Sequence, residues 1–301
     1  MRNLIKLLFI VSLMSAPAFA ATLLVPEDYP TIQDAVDVAE AGDVVMVGPG
    51  EYAGAVIDRV PVIIEGKGKK TRIVAANDYF LWPGESAFLW GIAFYGADHV
   101  QLEDITIVST LWSVAGTRSD RASVKGLEIV DSYQGIASWG GSSWTIEDNV
   151  LIGVKMYPWQ GGKHADMILI AGQGNGHLIR DNTIYHVGVA VCTGEPGSFC
   201  GPDDDEYYIG VALVAFGGPM GDNVVVDNRV TILVEGDGVD NQSAVTLVDY
   251  SLMSGGPPLV QGNAVVDNVL VGESTLSFSP SELSELNLVY DNKGPIKGSG
   301  K

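Results

Sequence analysis

The sequence predicts an all-β fold, a single-stranded parallel β-helix (a solenoid) closed at its N-terminal end by an α-helix. Three observations carry that expectation. Short β-branched strands are interrupted every few residues by Gly, Asp or Asn, and an Asp-Asn pair or a close variant recurs along most of the chain. One early segment switches instead to helical periodicity.

The elements follow in chain order. Residues 1–20 read as an export signal: Arg2 and Lys6 give a basic start, Leu7 to Leu13 is apolar, and Ala18-Phe19-Ala20 offers a small-x-small cleavage site before Ala21. The apolar run is too short to span a bilayer and is followed by Pro17, and no later stretch reads as a span. The expectation is an exported protein, periplasmic or extracellular, with one body over residues 21–301. Leu23-Leu24-Val25 is a strand, and Pro26 to Pro30 turns the chain. Ile32, Ala35, Val36 and Ala39 then recur at helical spacing, so a helix begins near Thr31 and ends at Gly42. An open strand edge pairs with a neighbour unless it is covered, and this helix is placed to cover the first one. Val44 to Val47, Ala55-Val-Ile57, Val62-Ile-Ile64 and Arg72-Ile-Val74 open the solenoid.

From there the repeat takes over. It appears as Trp144-Thr-Ile-Glu-Asp-Asn149, His177-Leu-Ile-Arg-Asp-Asn182, Val224-Val-Val-Asp-Asn228, Ala264-Val-Val-Asp-Asn268 and Asn287-Leu-Val-Tyr-Asp-Asn292. Asn adopts the left-handed conformation more readily than most residues and bonds to nearby backbone. Asn149, Asn182, Asn228, Asn268 and Asn292 are therefore expected to turn the chain at one bend of every coil and to bond to one another. Their spacings are 33, 46, 40 and 24 residues. The shortest fits one coil, and the excess in the others must leave as loops. Second strands lie at Gly135-Ile-Ala-Ser138, Met167-Ile-Leu-Ile170, Val211-Ala-Leu-Val214 and Ala244-Val-Thr-Leu-Val248. The polar stretches ahead of them, about 110–123, 155–166, 191–208 and 235–243, are expected to emerge side by side on one flank. Nine or ten coils at about 4.8 Å each give an axis of about 45 Å.

Composition narrows the partners. Lys and Arg number 17 against 37 Asp and Glu, a net charge of −20, which becomes −22 once Arg2 and Lys6 leave with the signal. Nucleic acid needs a basic track and is excluded as a partner. Unaided binding of a polyanionic sugar is disfavoured for the same reason. Cys192 and Cys200 are close in sequence, and in an oxidising compartment that spacing suits a disulfide stapling a local loop.

A resemblance can be named on specific residues. Tyr29-Pro-Thr-Ile-Gln-Asp-Ala-Val36, Ala-Gly-Asp43-Val-Val-Met-Val47, Pro49-Gly-Glu-Tyr52 and Val62-Ile-Ile-Glu-Gly-Lys-Gly68 resemble the opening of the pectin-lyase-like superfamily, as seen in pectinesterases and NosD-like periplasmic proteins. The resemblance implies a right-handed parallel β-helix and leaves the activity open. Pectinesterases carry a Gly-x-Gln-Asp-Thr-Leu segment. The nearest stretch here, Asp131-Ser-Tyr-Gln134-Gly-Ile136, keeps the Gln and departs after it.

Two function classes follow. In the first, the flank binds a glycan or another surface ligand without catalysis. Trp112, Trp159 and Tyr157 are the candidate platforms on which sugar rings would stack, with Asp166 beside them. In the second, the protein is a polysaccharide lyase. Elimination across a uronic acid needs a base and a cation to stabilise the carboxylate, and the candidates are Lys163, His164, Arg118 and Arg121. Asp203, Asp204, Asp205 and Glu206, joined by Asp237 and Asp240, are the candidate oxygen ligands for Ca²⁺, the cofactor that would let so acidic a protein hold a polyuronate. The plain alternative for each charged group is solvated surface.

Overall fold

A computed structural model of the chain describes residues 20–74, 78–79, 88–108, 110, 112–132, 134–153, 164–189, 206–235 and 239–294. These residues wind into coils that visit three parallel faces in turn. On face 1, ten positions stack in register: Thr22, Val44, Ile63, Gln101, Ser123, Thr145, Leu178, Val224, Ala264 and Leu288. A bend leads to face 2, whose strands include Glu128–Val130, Val150–Gly153, Thr183–Val189, Arg229–Glu235 and Val269–Val271. Two long strands, Ile63–Val74 and Gln101–Val108, run round that bend and join faces 1 and 2 into one curled sheet. Face 3 is a separate sheet running from Ala55–Asp58 to Ser274–Ser279.

The core is the lumen. Ile64, Leu102, Val124, Ile146, Ile179, Val225 and Val265 form one fully buried column on face 1, and Ile107, Ile129, Leu151, Ile184 and Val230 form another on face 2. Each such side chain contributes about 1.5–3 kcal/mol on burial. Trp144, the one Trp of the repeat, lies inside as well, stacked on Phe94 at 5.1 Å with its Nε1–H donated to the Ser119 carbonyl.

The expected N-terminal helix is present as α1, Ile32–Val38, with Thr31 capping the amide of Asp34. Ile32, Ala35 and Val36 are buried against the first strands. The Gln33 amide takes the place of a strand. It accepts from Val56 N at 2.7 Å and donates to Val56 O at 3.1 Å, on the outermost strand of face 3. The outer edge of that strand is thereby satisfied at Val56 as well as covered.

The repeated asparagines form a buried column. Nδ2 of Asn149, Asn182, Asn228 and Asn268 donates to Oδ1 of the Asn one coil on, at 2.9–3.0 Å, ending on Asn292. Each Oδ1 also accepts the backbone N–H of the preceding Asn. One expectation is corrected here. The left-handed residue is the Asp before each Asn (Asp148, Asp181, Asp227, Asp267 and Asp291, φ 55–57°), so Asp makes the turn and Asn ties the coils.

A second column went unforeseen. Five residues before Asn228, Asn268 and Asn292 stand Asn223, Asn263 and Asn287, with Asn223→Asn263 and Asn263→Asn287 bonds of 2.8 and 2.9 Å. His177 occupies the same slot and imitates the amide. Its Nδ1 accepts from Trp144 N at 3.3 Å, and its Nε2 lies 3.0 Å from the Gly141 carbonyl, which fixes the Nε2–H tautomer. The residue ahead of the slot is left-handed in Asp222, Gly262, Gly176 and Ser143.

Two loop expectations are also corrected. Residues 110–123 are no insertion: Trp112–Thr117 is a face 3 strand, and the coils from Gln101 to Ser123 to Thr145 are each 22 residues long, shorter than the 24 read from the Asn spacing. Face 3 resumes at Val239, four residues after Glu235, so most of 235–243 is strand. Much of that coil's excess emerges past face 3, in the short helix α2, Tyr250–Met253, and the turn to Val260, where buried Asp249 accepts from the amides of Leu252, Leu259 and Val260. A third short helix, α3, spans Leu283–Leu286 ahead of the last strand, Leu288–Tyr290.

Two measurements check this scaffold. Asn182→Ala strands four buried partners and should cost about 3 kcal/mol or more, whereas Asn292→Ala, at the half-buried end of the ladder, should cost about 1. Equal losses in urea titrations would show that the ladder is not what ties the coils. Burial lowers His177 to about 4 and His186 to about 3, from 6.5. The unfolded chain therefore takes up these protons first, so stability is lost as pH falls from about 6.5 towards 4. His177→Asn restores the repeat residue and should weaken that acid sensitivity with little change at neutral pH. Superimposable acid-unfolding curves would refute the assignment.

Candidate functional site

The geometry of face 3 sets its outer surface. Along each strand two consecutive residues turn into the lumen, as in Ser113-Val114, Gly135-Ile136, Met167-Ile168 and Ala244-Val245. This double step rounds the corner from face 2. At Gly91, Gly135 and Gly210 a Cβ would lie 2.3–2.5 Å from a carbonyl oxygen of the next coil, so glycine is required there. Behind the corner, buried Thr110, Ser113 and Ser132 close a triangle of hydroxyl contacts at 2.7–3.0 Å.

The residue ahead of the double step is consequently turned outward. Trp90, Trp112 and Gln134 stack in register at 22-residue intervals, and the pairing of Ile136 with Ile168 places Asp166 on the coil after Gln134. Ile209 and Ser243 continue the column. The Trp90 and Trp112 ring centroids are 4.5 Å apart, and Trp112 Nε1–H donates to Gln134 Oε1. Asp166 is 3% exposed, and its Oδ1 has no hydrogen-bond partner among the described residues. Burial pushes its carboxyl up to about 7. Beside this column lies an apolar strip that includes Ala137, Leu169, Ala171 and Ala212, flanked by half-buried Trp139, whose ring is 6.2 Å from that of exposed Phe216.

The structure thus brings two expected ligand residues, Trp112 and Asp166, to one column. Trp112 is a half-buried strand residue packed on the core, where a loop platform was expected. His164, Glu206 and Asp240 begin or lie near the start of face 3 strands, so the backbone sets them at the same leading edge; their side chains fall outside the described residues. Lys163, Tyr157, Trp159, Cys192, Cys200, Asp203, Asp204, Asp205 and Asp237 lie outside the described residues altogether. Arg118 and Arg121 are left-handed turn residues beyond the trailing edge of face 3, away from the flank on which they were expected. Arg121 is held by Asp98 at 3.0 Å and His99 at 2.8 Å. Among the described residues no three His, Cys, Asp or Glu side chains converge on a metal position, and no helix is long and apolar enough to cross a membrane. Trp90 and Gln134 were missed as site residues. Their shared interval with Trp112 was the available signal, hidden by the longer coil assumed from the Asn spacing.

No family model matches the chain, and no curated protein matches it in sequence. Solved structures do. A pectin methylesterase mutant in complex with a hexasaccharide aligns with a TM-score of 0.59 at 15% identity, covering 93% of this chain and 90% of that one. Pectin methylesterase PemA from Erwinia chrysanthemi aligns with a TM-score of 0.57 at 13% identity over the same shares. At such identity the likeness is one of fold, and it agrees with the stacked parallel faces described above. The chain is a right-handed parallel β-helix, similar in fold to these pectin methylesterases.

Proposed function

We propose that the protein is an exported β-helix that binds a glycan on the outer side of face 3, across the column of Trp112, Gln134 and Asp166. The observation that carries this reading is Asp166: a carboxyl on the outward side of a sheet, buried, with one oxygen unpartnered among the described residues. Leaving such a group unsatisfied is costly, and a sugar hydroxyl is a suitable partner. Gln134 adds an amide beside it, and the Trp112 indole adds apolar surface for a ring face. The net charge of −20 favours neutral over polyanionic chains. The fold neighbour solved with a hexasaccharide is consistent with a glycan as ligand.

A second reading, catalysis, has one observation in its favour. A carboxyl held near pH 7 both donates and accepts protons at neutral pH, which is what a general acid or base must do. The Ca²⁺-assisted lyase belongs to this reading.

Calorimetry with neutral and uronic-acid polysaccharides, with and without Ca²⁺, tests both, alongside ultraviolet detection of unsaturated products. Asp166→Asn and Trp112→Ala should each weaken binding about tenfold or more, equivalent to about 1.4 kcal/mol. Unchanged affinity in both variants would place the ligand elsewhere. Asp166 also predicts a pH effect. Its native value near 7 lies above the ordinary 3.8, so the folded protein keeps a proton that the unfolded chain has lost. That contribution is fully present below about pH 4 and is lost as pH rises through about 7. Asp166→Asn should flatten this alkaline-side decline in urea titrations between about pH 5 and pH 8; an unaltered slope would contradict a buried protonated carboxyl.

A further inference from the structure

The N-terminal end of the solenoid converges on one carboxylate. Asp43 is 7% exposed, and among the described residues no lysine, arginine or histidine pairs with it. Its oxygens accept backbone amides instead: Oδ1 takes Ala21 N at 2.7 Å and Oδ2 takes Glu40 N at 2.8 Å. Three segments meet around it. The Asp43 N–H donates to the Glu40 carbonyl, in the turn that follows α1, and the Asp43 carbonyl accepts from Ile63. Val44 N–H, next along the chain, donates to the Ala21 carbonyl. The first strand of face 1, Thr22–Val25, starts at this point, and its one strand partner among the described residues is Val44–Val47. A buried carboxylate is costly unless charge and hydrogen bonds together compensate it, and here the donors are neutral.

We propose that Asp43 is the receptor for a processed N-terminus: hydrolysis of the Ala20–Ala21 bond frees an α-ammonium that pairs with this carboxylate and locks the first strand. The inference rests on the exported reading above. In the cut the Ala20 C–N bond breaks. The oxygen of water goes to the Ala20 carbonyl carbon, which leaves as a carboxylate, and its two protons go to Ala21 N, which becomes the ammonium and is charged at neutral pH. The position is specific. Two small-x-small triplets occur in the signal, Ala16-Pro-Ala18 and Ala18-Phe-Ala20. A cut after Ala18 would leave Ala21 N an amide, with the free amine two residues away. A cut after Ala20 sets the charge 2.7 Å from Oδ1 with the backbone already in place. The charge-assisted hydrogen bond is about twice as strong as the neutral one it replaces. Ala21 is exposed, so the other donors of the ammonium reach water.

N-terminal sequencing of the exported protein tests the cut, and a thermodynamic cycle tests the pair. The expected first residue is Ala21. In urea titrations at pH 7, Asp43→Asn should lower the folding equilibrium constant at least tenfold more in the chain that begins at Ala21 than in one begun at Phe19, where Ala21 N is an uncharged amide. Equal losses in the two chains reject the ion pair. A second readout needs no substitution and holds whether or not Asp43→Asn folds. Acetic anhydride should modify the α-amine of the folded Ala21 chain at least tenfold more slowly than that of the same chain unfolded in urea, and equal rates overturn the proposal. Protein retained in the cell with its leader attached refutes the exported reading and this inference with it. Protein exported with a first residue other than Ala21 refutes this inference alone.

Discussion

The structure depends on one obligation. At each bend between coils, backbone N–H and C=O groups leave the strand ladder while still buried, and they must find partners. Asparagine meets the need because a single side chain carries both an acceptor and a donor. Oδ1 takes an amide of the preceding coil while Nδ2 reaches a carbonyl of that coil, as Asn228 does with Asn182 N and Ile179 O. Repeating that exchange fixes the distance between coils and the stacking of lumen side chains. It also fixes the positions at which the chain is free to leave the body.

Face 3 lies outside this system and shows what replaces it. Its leading corner is rounded by two inward residues, the first a glycine at Gly91, Gly135 and Gly210, with a hydroxyl cluster in place of an amide ladder. The outward residue before that corner stands outside both amide ladders, and there the chain carries Trp90, Trp112, Gln134 and Asp166 in succession. A rigid sheet presenting chemically varied residues at one coil spacing is suited to recognising a ligand that is itself a repeating chain.

Much of the fold was legible because it was periodic. The Asp-Asn pairs identify the first ladder, and the helical spacing of Ile32, Ala35 and Val36 identifies the cap. The second ladder was hidden because its slot is filled by Trp144 and His177 before it becomes Asn223, so no single residue type repeats across all copies. The left-handed role of Asp was assigned to its neighbour, since Asp and Asn both tolerate that conformation and only the backbone separates them. Spacing between asparagines gives the total length of an insertion and says nothing of where it emerges. That is why the α2 turn was expected ahead of face 3. The outward column of face 3 could not be read as a unit, because residues 22 apart become neighbours only once the coil length is known.

The five-residue interval between the ladders has a consequence for how such a chain can change. Between face 2 and face 3, added residues leave both ladders aligned, as the 33- and 46-residue spacings of Asn149, Asn182 and Asn228 record. One residue added between Asn223 and Asn228 would shift one ladder against the other and reverse which side chains of Val224–Val226 enter the lumen. The architecture therefore separates a segment whose length is forbidden to drift from one whose length is nearly neutral, and novelty accumulates beside face 3 without renegotiating the core.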